Sequence, residues 1–271
     1  MAESGEREPL RLGGMALRNG LLVHGPTHWA AAVRAPDGSI GVASGAKPHL
    51  SGAVTRIPGA RGVIRLAEAM AVIPLVKRAL PEARLPWQDA RVLGSAAAVT
   101  LGGAAATGSI LRRRARGVGG EAASAAISLL PALLALRSGD LAAYHGVEHK
   151  AIAAYEHGDQ DAADAAKEHD RCGSHLMAPL LAANVAGAAL LKKVVERPRP
   201  VHGAALSLAS VGLAVEVFAW SERHSASRTA KALRRPGHEL QRVLGTREPT
   251  DEQLEVGRAA LGEILRAEGC S

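Results

Sequence analysis

Long charge-free segments constrain the fold of this chain more than any other feature of its 271 residues. Residues 93–111 hold 19 positions without a charged side chain, and further apolar segments occupy 122–136, 176–191 and 204–220. A helix needs about 20 apolar residues to cross a bilayer, so the first segment is long enough and the others are marginal. Buried core helices give the same pattern. Either interpretation predicts a mainly α protein, an Ala-rich helical bundle, and the flanking basic residues favour a membrane bundle.

The composition favours lipids over nucleic acids as the partner of this bundle. Aromatic residues make up only 2% of the chain, and small aliphatic residues supply most of its apolar side chains. Small side chains let helices pack closely in a bilayer, although a GC-rich genome gives the same bias. The net charge is +7, but the few scattered aromatic residues offer no stacking surface for bases. We therefore expect membrane lipids as partners and no nucleic acid, and the sequence leaves protein partners unknown.

Cysteine content and basic runs bear on the location of the protein. Only Cys172 and Cys270 occur, which excludes a disulfide framework and indicates a reducing compartment. The first nine residues lack the apolar core of a secretory signal. The positive-inside rule would place the basic runs at 112–116 and 192–199 in the cytoplasm, yet the parts then left outside are also rich in arginine. The sequence predicts a multi-pass protein of the cell inner (cytoplasmic) membrane with its soluble parts in the cytosol.

Composition and residue pattern predict four parts of the chain. Residues 1–9 form a disordered tail, and residues 10–60 form a β-rich N-terminal unit punctuated by glycine. Residues 61–220 hold an amphipathic helix, the four apolar helices and a connection at 137–175. Residues 221–271 form polar C-terminal helices.

Turn signals predict several elements in the first three parts. The turn Pro36-Asp37-Gly38 predicts a β-hairpin over residues 29–43. The amphipathic helix at 61–80 could pack on this β unit or lie on a membrane surface. A helix beginning near Asp140 ends at Gly158, and a polar helix follows at 159–168.

In the C-terminal part, the pattern predicts a helix at 221–233, a break at Pro236-Gly237 and a helix at 238–244. Thr250 and Gln253 have the spacing of a capping box, which predicts that the last helix begins there.

The residues that carry chemistry lie in the run YHGVEHK at 144–150. On a helix, His145 and His149 are one turn apart on the same face, with Glu148 beside them. H-x-x-E-H is the inverted form of the zinc-protease motif, in which two imidazoles bind a divalent metal and the glutamate accepts a proton from water. A catalytic zinc site also has a third protein ligand and an open position. His169 and Cys172 are the nearest candidates in the sequence.

The spacing therefore predicts a divalent metal centre, with zinc as the hypothesis for the metal. Its ligands are His145, His149 and one or both of His169 and Cys172, and Glu148 is the catalytic residue. The reaction that such a site favours is hydrolysis, because the metal lowers the pKa of water and Glu148 accepts the proton. A peptide, a lipid or a modified cofactor would each be a compatible substrate.

Beyond this run, the chain resembles the YqhQ family, a bacterial family of unknown function described as metal-dependent membrane proteins. The resemblance extends from about residue 10 to residue 261 and is most specific at 144–150. Weaker matches are Gly13-Gly14, Gly25-Pro26, Arg61-Gly62, Arg171-Cys172-Gly173, Pro236-Gly237 and Leu240-Gln241. Asn19 stands where the family has an acidic residue. The resemblance implies a polytopic membrane protein with a metal site, and it supplies no reaction.

A non-enzymatic alternative stays open, in which the His, Glu and Cys cluster is structural and the protein is a membrane scaffold or interaction protein. A single suitable cysteine, Cys172, is fewer than many structural zinc sites use, which favours an open site. The neighbouring Arg171 would favour the thiolate of Cys172 and a redox or nucleophilic role. Glu216, inside an apolar segment, is a further functional candidate.

Overall fold

The computed structural model describes residues 9–48, 60–88, 140–158 and 161–270, with isolated positions between 90 and 98 and between 127 and 135. The described part is mainly helical with one small N-terminal sheet, which confirms the predicted fold class. The predicted apolar segments at 93–111 and 122–136 lie almost entirely outside it. The described helices are α1 (Ala60–Ala79), α2 (Leu141–His157), α3 (Met177–Val194), α4 (Pro200–Arg223), α5 (Arg228–Leu240) and α6 (Asp251–Ala267).

The sheet is antiparallel, and its strands lie in chain order. They are β1 (Gly13–Leu17), β2 (Gly20–His24), β3 (His28–Arg34) and β4 (Ile40–Ala46). The predicted hairpin is confirmed, because β3 and β4 pair from Arg34 opposite Ile40 to His28 opposite Ala46. Gly38, in the turn between them, has a φ of 88°, a conformation that glycine adopts without strain.

Both faces of the sheet are buried, because successive residues of its strands point into two different cores. On one side, Leu22 and Val33 pack with Val72 and Val76 of α1. The sequence left two locations open for this helix, and the structure shows packing against the sheet. The strands are therefore apolar at nearly every position, as expected for a sheet covered on both faces.

The other face of the sheet is covered by α2 and α6, which are far apart in the sequence. Leu21 and Val23 of β2 share a core with Val147 of α2 and Ile264 of α6. The helix α6 begins at the predicted capping box of Thr250 with Gln253. This helix is therefore part of the core around the sheet, although the sequence suggests a polar surface helix.

The predicted helix at 159–168 is wrong in its described part, where residues 161–168 form turns and bends. The side chain of Lys150 donates hydrogen bonds to the backbone carbonyls of Ala163 and Ala165, at 2.9 and 2.8 Å. Asp161 accepts a hydrogen bond from the backbone N–H of Ala163 at 3.0 Å. These contacts with α2 and within the turn replace the helical hydrogen bonds.

The helix boundaries predicted between 221 and 244 are also wrong. Helix α4 runs to Arg223, and α5 begins after Ser227, whose hydroxyl accepts from the N–H of Ala230 at 3.1 Å. Helix α5 continues through Pro236 because tertiary contacts hold its backbone there. The carbonyl of Arg234 lies 2.9 Å from Nδ1 of His175, and a Cβ on Gly237 would lie only 2.6 Å from Cα of His175.

The helices α3 and α4 form a long apolar hairpin. Among the described residues, the helical stretches Gly173–Val194 and Pro200–Arg223 have the length and composition to cross a membrane, with 22 and 24 residues. Core helices of soluble proteins pass the same test, but only 6% and 17% of these two apolar windows are buried. The hairpin is held together by close packing, and Leu206 of α4 lies directly over Gly187 of α3.

Candidate metal centre

The centre is built on helix α2, which carries the run YHGVEHK at 144–150 in a largely buried position. The helix ends at Gly158, whose φ of 69° lets its N–H bond to the carbonyls of Ala154 and Tyr155. His149 and Glu148 are only 2% and 7% exposed, and the rings of His145 and His149 lie 4.3 Å apart between centroids. The motif therefore faces the interior, under the sheet and the C-terminal segment.

His149 presents an unpartnered nitrogen to this interior. Its Nδ1 lies 2.6 Å from the carbonyl oxygen of Lys167. Because a carbonyl can only accept, Nδ1 carries the proton and Nε2 keeps its lone pair. This Nε2 is buried, and it has no hydrogen-bond partner within the described part of the chain. Burial, and then the neighbouring His145, lowers the pKa of His149 to about 2, so the ring stays neutral as metal binding requires.

His145 is oriented in the same way. Its Nδ1 lies 2.7 Å from the carbonyl oxygen of Gly245, which leaves Nε2 with a lone pair. That Nε2 is 3.3 Å from Sγ of Cys172. Metal-bound histidines commonly donate their other ring N–H to a backbone carbonyl, and both His145 and His149 do so.

Cys172 completes a group of three ligand atoms. One nitrogen from each of His145 and His149 and the sulfur of Cys172 all lie within 4.8 Å of one another. Tetrahedral zinc, with Zn–N of about 2.0–2.1 Å and Zn–S of about 2.3 Å, separates nitrogen and sulfur by roughly 3.5 Å. The separation of 3.3 Å between Nε2 of His145 and Sγ of Cys172 is close to this value. The donor set and its spacing therefore fit a metal ion.

Arg171 does not activate Cys172, contrary to the expectation from the sequence. Burial raises the pKa of the Cys172 thiol and outweighs the hydrogen bonds from Ser174. The guanidinium of Arg171 is instead engaged by the carboxylate of Glu156. A bound cation, rather than Arg171, would be needed to favour the thiolate.

Glu148 lies beside the three candidate ligands and is buried. Burial raises its pKa to about 7, against the lowering effect of His145 and of a backbone hydrogen bond at Ala16. The strand β1 makes room for it, because a Cβ on Gly14 would lie 2.7 Å from the carboxyl carbon of Glu148. A carboxyl group with this pKa can accept or release a proton near neutral pH.

His169, the other predicted ligand, stands outside the group of three. Its Nε2 lies 3.3 Å from a carboxylate oxygen of Glu156, and its Nδ1 accepts a hydrogen bond from the N–H of Arg171 at 3.3 Å. Its ring centroid is 5.7 Å from that of His149. Both ring nitrogens of His169 are therefore engaged, and its role as a ligand stays a prediction.

The sequence reasoning missed the residues that position these side chains. Gln241 and Gly245 are the two ends of a π-helical turn, Gln241–Gly245, after α5. Gln241 is fully buried, accepts from the N–H of His169 at 2.8 Å and donates to the hydroxyl of Ser174 at 2.8 Å. The pair Leu240-Gln241 contributes to the family resemblance, and this was the sequence signal that could have drawn attention to Gln241. Asn19, in contrast, caps backbone groups of Arg34, Glu82 and Arg84, away from the ligands.

A cavity of about 480 Å³ opens on this cluster. Its polar lining includes His145, Glu148, His149, His169 and Cys172. Much of the remaining lining is apolar and comes from β1, from the same face of α2 and from the segments next to them. Its members include Leu12, Met15, Pro86, Ala135, Leu141 and Ile152. The cavity can therefore hold a small molecule that carries both polar and apolar groups.

The cluster lies in the part of the chain that is similar to known sequences. Residues 139–267 match a family described as "Protein of unknown function (DUF1385)". The chain is 33% identical over 135 residues to "Uncharacterized protein YqhQ" of Bacillus subtilis (strain 168). That alignment covers 47% of this chain and 41% of the relative, so the chain spans less than half of the relative's length. No solved structure matches the chain.

Proposed function

This chain is YqhQ-like, and the proteins it resembles have no assigned reaction. On that premise we propose that it is a membrane-associated, metal-dependent hydrolase. His145, His149 and Cys172 would hold the ion, and two nitrogens with one sulfur favour zinc. The observation that carries the proposal is Nε2 of His149, which is buried and unpartnered among the described residues, and faces two other potential ligands.

The residues around the ligands favour catalysis over a purely structural site. Among the described residues the site has three candidate ligands, the number typical of catalytic zinc, whereas structural zinc usually has four. A bound zinc ion would supply a Lewis acid that acidifies water and polarises a carbonyl group. Glu148, buried beside the candidate ligands, is suited by its position to accept a proton from water and return it to the leaving group. The buried setting keeps this carboxyl away from bulk solvent.

We place the protein in the cytoplasmic membrane, with α3 and α4 in the bilayer, membrane lipids as its partners and the soluble parts in the cytosol. The support is the length of the two stretches and their low burial. Leu190, Leu208 and Leu213 are 62%, 61% and 56% exposed, which is unfavourable for large apolar side chains in water.

Metal content tests the site. The full-length protein would be purified in detergent without chelators, and zinc would be measured by elemental analysis. We expect near-stoichiometric zinc in the wild type and its loss in His149→Ala and Cys172→Ser. His238→Ala and Cys270→Ser remove an exposed histidine and an exposed cysteine, and both should keep the metal. A wild-type protein without metal would overturn the proposal.

A second measurement separates the enzyme from the scaffold alternative. The scaffold is also compatible with the geometry, because the same ligands join α2 to the segment before α3. Glu148→Gln should keep its zinc and lose hydrolysis of acyl ester probes. If Glu148→Gln retains both zinc and turnover, Glu148 has no catalytic role. If the wild type shows no turnover and chelation only lowers its melting temperature, the scaffold is correct.

A further inference from the structure

Both ends of the apolar hairpin meet at the metal cluster. Cys172 directly precedes Gly173, the first residue of the stretch Gly173–Val194. At the other end of the hairpin, the ring of Phe218 in α4 stacks on His175, with 6.3 Å between centroids. Glu222, one residue before the end of α4, is close enough to act electrostatically on His169 and Arg171. The cluster therefore lies at the base of the hairpin.

The hairpin extends from this base by about one bilayer thickness. At 1.5 Å per residue, helices of 22 and 24 residues are about 33 and 36 Å long, and the hydrocarbon core of a bilayer is about 30 Å thick. The far end is basic, with Lys192, Lys193, Arg197 and Arg199 around the turn. Arg223 and Arg228 flank the near end. Charges at both ends bound an apolar stretch of membrane-spanning length, which puts the base at one lipid–water boundary. With the base in the cytosol, the basic turn lies on the far side of the bilayer, against the positive-inside bias.

The cavity shares this boundary. Gly173 and Ser174, at the start of the hairpin, line it together with Cys172. Its lining is mostly apolar: Leu141 and Ile152, on the same face of α2 as His145 and His149, line it on either side of them, and Leu12 adds a further apolar side chain. A molecule with an acyl chain and a polar end can place its chain against these apolar side chains and its reactive carbonyl near the candidate ligands.

We propose that the substrate is an acyl amphiphile of the bilayer, an ester or amide cleaved next to its polar end. This inference rests on the proposed hydrolase function and names its substrate class. In the reaction, the oxygen of water forms a bond to the acyl carbon, and the bond from that carbon to oxygen or nitrogen breaks. One proton of the water passes by way of Glu148 to the departing alcohol or amine, and a carboxylic acid remains.

Ligand binding, rather than turnover, tests the substrate class. The full-length protein would be loaded with Co²⁺ in nanodiscs of phosphatidylcholine and phosphatidylglycerol. The visible and near-ultraviolet absorption of Co²⁺ at a His-Cys site changes when a ligand binds. Acetohydroxamate and decanohydroxamate carry the same metal-binding group and differ in acyl chain length. His149→Ala, treated in the same way, corrects for effects of the probes on the lipid.

The sign of the chain-length effect decides the outcome. A site reached from the bilayer should bind decanohydroxamate more tightly than acetohydroxamate when both are expressed as total concentration, and we expect the difference to be at least tenfold. A site reached only from water should bind decanohydroxamate equally or more weakly, because the lipid withdraws this probe from solution, and that result would overturn the inference. The proposed metal site would survive such a result. Failure to bind Co²⁺ would remove the site, and the substrate class with it.

Discussion

The carbonyl oxygen of Gly245 lies 2.7 Å from Nδ1 of His145, although the two residues are 100 positions apart. Gln241, at the other end of the same π-helical turn, holds the backbone of His169 and the hydroxyl of Ser174. One turn of the C-terminal segment thus orients a histidine ligand and the loop that carries Cys172. Outer contacts of this kind set the orientation of metal ligands.

Gln241→Ala should weaken zinc binding by about tenfold to a hundredfold, because the loop around Cys172 loses its anchor. The change also leaves the N–H of His169 without its acceptor, which costs about 1–3 kcal/mol of stability. A chelator competition titration measures the affinity. Gln253→Ala is the control, since it removes an amide from the capping box of α6 and should lower stability by about 1 kcal/mol with unchanged zinc affinity. Equal affinities in the two variants would contradict this role of Gln241.

Gly14→Ala should disturb Glu148 selectively. The new methyl group would meet the carboxyl carbon of Glu148 at 2.7 Å, and such overpacking costs about 1–3 kcal/mol. We expect a lower melting temperature and a reduced turnover, with zinc content unchanged. Gly13→Ala is the matched control, because nothing lies within 4 Å of its added Cβ. If both variants melt and turn over like the wild type, β1 does not shape the surroundings of Glu148.

In the metal-free protein, the contribution of Glu148 to stability should fall as the pH rises from about 4.5 to about 7, whereas buried His149, whose pKa is lowered, contributes in the opposite direction. Burial raises the pKa of Glu148 to about 7, whereas the unfolded carboxyl titrates near 4.5. In this window the carboxyl of Glu148 is ionised in the unfolded state and protonated in the folded state. Its ionisation therefore favours the unfolded state increasingly as the pH rises. The pKa difference corresponds to about 3 kcal/mol. Denaturant unfolding of the chelated wild type and of Glu148→Gln should therefore diverge by about this amount between pH 4 and pH 8. Parallel pH profiles would show that Glu148 has an ordinary pKa.

Arginines on the exposed face of α4 test its proposed membrane location. Leu208→Arg with Leu213→Arg would place two charges near the middle of the span, at about 2.5–3.5 kcal/mol each. We expect this double variant to leave the membrane fraction or to fail to accumulate. Val42→Arg with Val243→Arg adds the same charges to exposed positions of the soluble part and should stay in the membrane fraction. A Leu208 and Leu213 variant that behaves like this control would argue against insertion of α4.

Local signals in the sequence predicted the local elements well. The hairpin followed from Pro36-Asp37-Gly38, the end of α2 from Gly158, and the start of α6 from Thr250 with Gln253. Each depends on backbone preferences within a few residues, which the sequence displays directly. The spacing of His145 and His149 likewise predicted their proximity, because it needs only one helix.

Features that depend on distant contacts could not be predicted in this way. Three carbonyls within residues 161–168 are bound by Lys150 and His149 of α2, so a polar sequence with helical propensity becomes a turn. Helix α5 passes through Pro236 because His175 packs on it. Gln241 and Gly245 reach the site only after the chain has folded back from α4, and no spacing rule links them to His145.

The position of α6 over the sheet has a consequence for synthesis of the protein. On the ribosome, the strands that carry Leu21 and Val23 emerge long before Ile264, which helps to cover them. The apolar hairpin is translated within this interval, while α2 covers that face of the sheet without α6. The N-terminal strands are therefore incompletely covered until α6 has been made, and a nascent chain stalled before α6 would be prone to aggregate.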